Sequence, residues 1–191
     1  SRVPDAAERE AITLRLADVL ETKIGDISGA VDRYAEVLER SPGRRGGGAA
    51  LERIAADDQH RHRVAVVLEP VYRAAGDRGK LVGALEAQLE SIDDRDQRVG
   101  ILREMAENYT KLGRLDLAFD CRARAWLVDV ASADTLGEME ALAVSARQYG
   151  PLVATLQKGA VEAIDPDLQA QLWGISAKPC EEQPDDAAQA L

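Results

Sequence analysis

The sequence predicts an all-α protein, an α-solenoid built from about ten helices that form antiparallel pairs. Apolar residues recur at helical spacing along nearly the whole chain, and the alternation typical of strands is almost absent. Short segments that contain Gly or Pro separate the apolar stripes at close intervals. Only 4% of the 191 residues are aromatic although 46% are hydrophobic, so small aliphatic residues must form the core, as between closely packed helices.

Charge and composition argue against several classes of function. The chain carries 34 acidic and 24 basic side chains, and its net charge of −10 disfavours nucleic acids and anionic membranes as partners. Its longest apolar run, residues 64–68, is far shorter than the roughly 20 residues that cross a bilayer. The two cysteines, Cys121 and Cys180, are too few for a disulfide framework. We therefore expect a cytoplasmic protein.

In the first half of the chain, hydrophobic spacing predicts helices over residues 9–23, 26–40, 48–57, 60–75 and 78–91. In the first helix, Ile12, Leu16, Val19 and Leu20 form one stripe, which we expect to face the core.

An irregularity is expected between residues 43 and 75. Residues 44–48, Arg-Arg-Gly-Gly-Gly, are typical of a flexible connector, and they lack the Lys-Ser/Thr of a phosphate-binding loop. Pro70 lies inside the next predicted helix, which it should kink or divide. The sequence leaves open whether helix 48–57 forms a layer of its own or packs irregularly.

In the second half, the pattern predicts helices over residues 95–112, 115–130, 133–148, 150–163 and 167–177. Gly113-Arg114 and Gly150-Pro151 mark corners, and Asp165-Pro166 combines a natural N-cap with a natural first helical residue. We expect one domain over residues 1–178, followed at 179–191 by the start of a further repeat or a disordered tail. Leu168, Leu172 and Ile175 would then lack cover, which predicts self-association through the C-terminal face.

Two segments of the chain repeat the same pattern. Leu16-Ala17, Gly25 and Ala30 correspond to Met105-Ala106, Gly113 and Ala118. A large and a small residue side by side let a second helix cross closely, and Gly permits the positive φ angle of the corner. Two less regular copies begin near Leu68 and Leu136.

This pattern resembles the tetratricopeptide repeat, a helix-turn-helix unit of about 34 residues. The resemblance covers nearly the whole chain, and is closest to the long, divergent arrays of large bacterial proteins. It implies a right-handed solenoid whose first helices line a concave face that contacts peptides. Carried over to this sequence, the partner-binding positions are Leu14, Asp18, Glu21, Arg103, Glu107 and Thr110.

Other candidate sites have simpler explanations. His60 and His62 are two residues apart and face different sides of a helix, so a solvated helix start is favoured over a metal site. Cys121 lies beside two arginines but has no second cysteine nearby, which favours a structural thiol. The acidic residues 93, 94 and 96 lack the Gly and closing Glu of a calcium loop, and helix capping accounts for them.

These observations predict a non-catalytic protein–protein interaction scaffold that holds a peptide or a partner helix, basic or amphipathic, on its concave face. No cofactor and no metal are expected. The alternative is a structural spacer or assembly subunit that stacks through its ends, and the third is an enzyme that uses His60 and His62.

The repeat register makes a direct prediction for the second helix of a pair. Ala118→Leu should lower the free energy of unfolding by about 1–3 kcal/mol, because the larger side chain overpacks the helix crossing. Thermal melts compare the variant with the parent, and equal midpoints would show that the register is wrong.

Overall fold

A computed structural model describes residues 5–41 and 45–182, with residue 45 and residues 178–182 described through their backbone alone. Within these ranges every regular element is helical, which confirms an all-α protein of about ten helices. The helices are α1 (Ala6–Val19), α2 (Ile27–Arg40), α3 (Arg45–Ile54), α4 (Asp58–Ala75), α5 (Arg78–Leu89), α6 (Arg95–Lys111), α7 (Leu115–Val128), α8 (Ala133–Ala146), α9 (Tyr149–Glu162) and α10 (Pro166–Glu182), and a π-helical turn, Leu20–Ile24, follows α1.

Local sequence signals place most helix ends. Gly25, Gly76 and Gly113 have φ angles of +78°, +69° and +73°, the left-handed corners that the repeat pattern predicts. Asp165 precedes α10, and its Oδ1 accepts the Asp167 backbone N–H at 3.0 Å, which confirms the predicted cap. Of the acidic cluster, Asp94 caps α6 by accepting the backbone N–H of residue 97 at 2.8 Å.

The chain forms two compact units, residues 1–91 and residues 92–191. The N-terminal unit contains α1 to α5, and each helix packs against the next one in sequence. Its core surrounds Val31, Leu51 and Val64, none of which is exposed. No helix in the described ranges is long and apolar enough to cross a bilayer.

Helix α3 differs from its prediction. It begins at Arg45, so the glycines expected in a flexible connector are helical. Gly47 is buried where α3 faces α2, and a Cβ there would lie 3.4 Å from Cγ of Leu38, an ordinary van der Waals separation. Helix α3 packs against both α2 and α4. Pro70 does not divide the following helix, since α4 runs continuously through it.

The predicted core stripe of α1 is wrong for three of its four residues, whereas the fourth, Leu20, packs against the core. Ile12, Leu16 and Val19 are 57, 45 and 42% exposed, whereas Ala17 is fully buried. Helix α1 contacts the core through Ala17 and the partly buried Leu14, on the opposite side of the helix. The small Ala17 permits the close crossing with α2, and the larger aliphatic residues remain outside.

The C-terminal unit contains α6 to α10, again with consecutive helices in contact. The predicted exposure of the α10 stripe is wrong, because Leu172 is fully buried and Leu168 and Ile175 pack in the same cluster. Helix α9 covers this side of α10. Helix α10 also continues to Glu182, five residues beyond the predicted end at 177, and residues 183–191 lie outside the described part.

The corner between α8 and α9 lies earlier than predicted. Arg147 adopts the left-handed conformation at φ 56°, and Gly150 and Pro151 belong to the first turn of α9. Proline is tolerated there because the N–H groups of a first helical turn have no acceptor within the helix. Ala118, the crossing residue of the repeat register, is fully buried in α7.

Gly159 makes room for the largest core residue of the C-terminal unit. Trp126 is fully buried, and a Cβ on Gly159 would lie 2.2 Å from its Cη2 atom. The glycine of α9 is therefore required by the tryptophan of α7, rather than by a turn.

Gly159→Ala should lower the free energy of unfolding by about 1–3 kcal/mol, because the overpacking exceeds the gain in helix propensity. Gly137→Ala in α8 is the matched control, since nothing lies within 4 Å of the Cβ position. That control should raise stability by about 0.5–1 kcal/mol. Denaturant unfolding measures both, and a neutral or stabilising Gly159→Ala would contradict the packing described.

Candidate partner-binding site

An open groove of about 340 Å³ lies in the N-terminal unit, where α3, α4 and α5 meet. We call it the alanine groove. Its apolar lining comes mainly from α4 and α5, and its rim carries three charged groups and one hydroxyl. The apolar residues are Ala55, Val64, Ala65, Leu68, Gly83, Ala84 and Ala87, and the polar ones are Glu52, Arg61, Tyr72 and Lys80.

Small residues create this groove. Ala65 of α4 packs with Ala84 and Ala87 of α5, and Tyr72 lies against the cluster. Short side chains on both helices leave space above their contact that larger ones would fill. Because the lining is apolar and open at the surface, it can accept aliphatic or aromatic side chains of a partner.

The rim is organised around the carboxylate of Glu52. The ammonium group of Lys80 donates a hydrogen bond to its Oε1 at 2.6 Å, and the Tyr72 hydroxyl donates to the same oxygen at 3.0 Å. The Lys80 ammonium also lies 5.6 Å from the centroid of the Tyr72 ring. The Glu52 carboxylate on α3 thus accepts hydrogen bonds from two side chains, Tyr72 of α4 and Lys80 of α5.

These contacts stabilise one protonation state of each group. The hydrogen bond from Lys80, and then that from Tyr72, lowers the pKa of Glu52, although partial burial opposes this. Burial first, and then the bond to Glu52, raises the pKa of the Tyr72 hydroxyl. The Glu52 contact likewise raises the pKa of Lys80. At neutral pH the rim therefore holds a carboxylate, an ammonium group and a protonated phenol.

A second cluster fixes the other side of α3. Arg53 donates to Oε1 of Glu21 from Nη2 at 2.6 Å and from Nε at 3.1 Å. The Tyr34 hydroxyl donates to the other oxygen of Glu21 at 3.0 Å. Glu52 and Arg53 are neighbours in sequence, so α3 is joined to α4 and α5 on one side and to the π turn on the other.

The sequence-predicted positions of the N-terminal unit have different surroundings. Leu14 is partly buried against the core. Glu21 is bound to Tyr34 and Arg53, so its carboxylate is part of the internal structure. Asp18 is exposed on α1. None of the three is among the residues that line the alanine groove.

The remaining predicted positions lie on α6 of the C-terminal unit. Arg103 is partly buried, and its Nη2 donates to Oγ1 of Thr135 at 2.5 Å. Thr110 is exposed and donates to the backbone oxygen of Ala106, one turn earlier, at 2.8 Å. Glu107 is exposed. Of this set, Arg103 is bound to a neighbouring helix, whereas Glu107 remains accessible to a partner.

The other candidates form no site within the described ranges. Nowhere in residues 5–41 and 45–182 do three His, Cys, Asp or Glu side chains come together as metal ligands. His60 and His62 lie in the first turns of α4, where Asp57 is the cap. Cys121 is buried in α7, as a structural thiol would be.

Sequence reasoning missed the residues of the alanine groove. Glu52 and Lys80 are 28 positions apart and belong to no periodic motif. Their contact depends on α3 lying beside α4, which the sequence did not decide. The alanines gave the only signal, since Ala84 and Ala87 share a face of α5 with a buried partner in α4.

Comparison with the profiles of known protein families and with curated proteins gives no match to this chain.

The bond from Tyr34 to Glu21 makes a pH-dependent prediction. Burial, and then the Glu21 contact, raises the pKa of Tyr34 from 10.0 to about 12. A raised pKa means that the stabilisation is fully present below pH 10 and is lost as the pH rises through 12. Tyr34→Phe should therefore lower the free energy of unfolding at pH 7 by about 1 kcal/mol.

Tyr149→Phe is the control, because the Tyr149 hydroxyl has no hydrogen bond to any described residue, and should change stability by less than about 0.5 kcal/mol. Denaturant unfolding at neutral pH measures both variants. If Tyr34→Phe is as stable as the parent, the bond does not stabilise the fold.

Proposed function

We propose that the protein is a non-catalytic protein–protein interaction module, and that the alanine groove binds an amphipathic segment of a partner. The observation that carries the proposal is an open apolar groove with charged groups at its rim. A groove of this kind buries the apolar face of a helix or peptide, while its rim groups contact the polar edge.

The rim chemistry supports binding rather than catalysis. A general base works best with a pKa near the operating pH. Here hydrogen bonds lower the pKa of Glu52 and raise that of Lys80, and burial, followed by the bond to Glu52, raises that of Tyr72. All three shifts move the pKa value of the group further from neutral pH, so that each group keeps one protonation state there. Their hydrogen bonds hold the rim in one arrangement, which reduces the entropy lost when a partner binds.

The apolar lining, more than the rim charges, indicates the kind of partner. Both rim cations are already paired within the chain, since the Arg61 guanidinium forms an ion pair with Asp58 and the Lys80 ammonium lies 2.6 Å from Oε1 of Glu52. We propose an amphipathic partner whose apolar face enters the groove.

The resemblance to tetratricopeptide repeats agrees with this function. The buried Ala17, Ala30 and Ala118 occupy its helix-crossing positions, and Gly25 and Gly113 occupy its corners. We infer that the helix pairs form repeats of this class, in a right-handed solenoid. Such arrays bind extended segments along their helices.

A substitution can close the alanine groove without disturbing the core. Gly83 is exposed in α5 and nothing lies within 4 Å of its Cβ position, so Gly83→Leu should fold and fill the groove. Gly100→Leu, at an equally open glycine of α6, is the matched control. Both variants exchange a helical glycine for a better helix former.

The test selects helical peptides of about 15 residues, roughly four turns, from a display library on the wild-type protein. Selected peptides should bind Gly83→Leu at least about tenfold more weakly, and Gly100→Leu as tightly as the wild type. Equal binding to all three proteins, or no enrichment of any peptide, would refute the proposed function.

A further inference from the structure

We draw no further inference here: the strongest candidate, the exposed apolar face of α1 formed by Ile12, Leu16 and Val19, carries none, because nothing in the structure shows what covers it.

Discussion

The position of α3 is the constraint on which the alanine groove of the N-terminal unit depends. This helix is short and contains three consecutive glycines, each of which costs about 1 kcal/mol of helix propensity relative to alanine. It is stable because it is held from three directions: Leu51 is fully buried, Arg53 is bound to Glu21, and Glu52 is bound to Lys80. Without α3, the alanine groove would lose the carboxylate that organises its rim.

Helical glycines in this chain mark contact rather than flexibility. Gly159 leaves space for Trp126, and Gly47 packs against Leu38. The helical corners, by contrast, use glycine for its positive φ angle. Spacing distinguishes the corners, because they recur between apolar stripes. It does not identify a glycine such as Gly159, which is needed because a distant side chain occupies its space. Nor does it show that the glycines predicted to form a connector at residues 44–48 lie in a helix that begins at residue 45.

Fold class, helix number and most helix ends follow from local signals, but the choice of buried face does not. In α1 the aliphatic residues form two possible faces, one through Leu14 and Ala17 and the other through Ile12 and Leu16. Hydrophobicity favours the second face, but close packing requires a small residue at the crossing and selects the first. The groove residues could not be predicted for a related reason. Three helices converge to bring together Glu52, Tyr72 and Lys80. The spacing of these residues in the sequence does not indicate that contact.

Native-state hydrogen exchange tests most directly whether α3 is an integral part of the N-terminal unit. If buried Leu51 and the two ion pairs hold it, the backbone amides of Leu51 and Ile54 should exchange with the same opening free energy as those of Val64 and Leu68 in α4. The alanine groove would then exist before any partner arrives. Fast exchange throughout α3, while α4 stays protected, would show that this helix opens on its own and would contradict the account of the alanine groove.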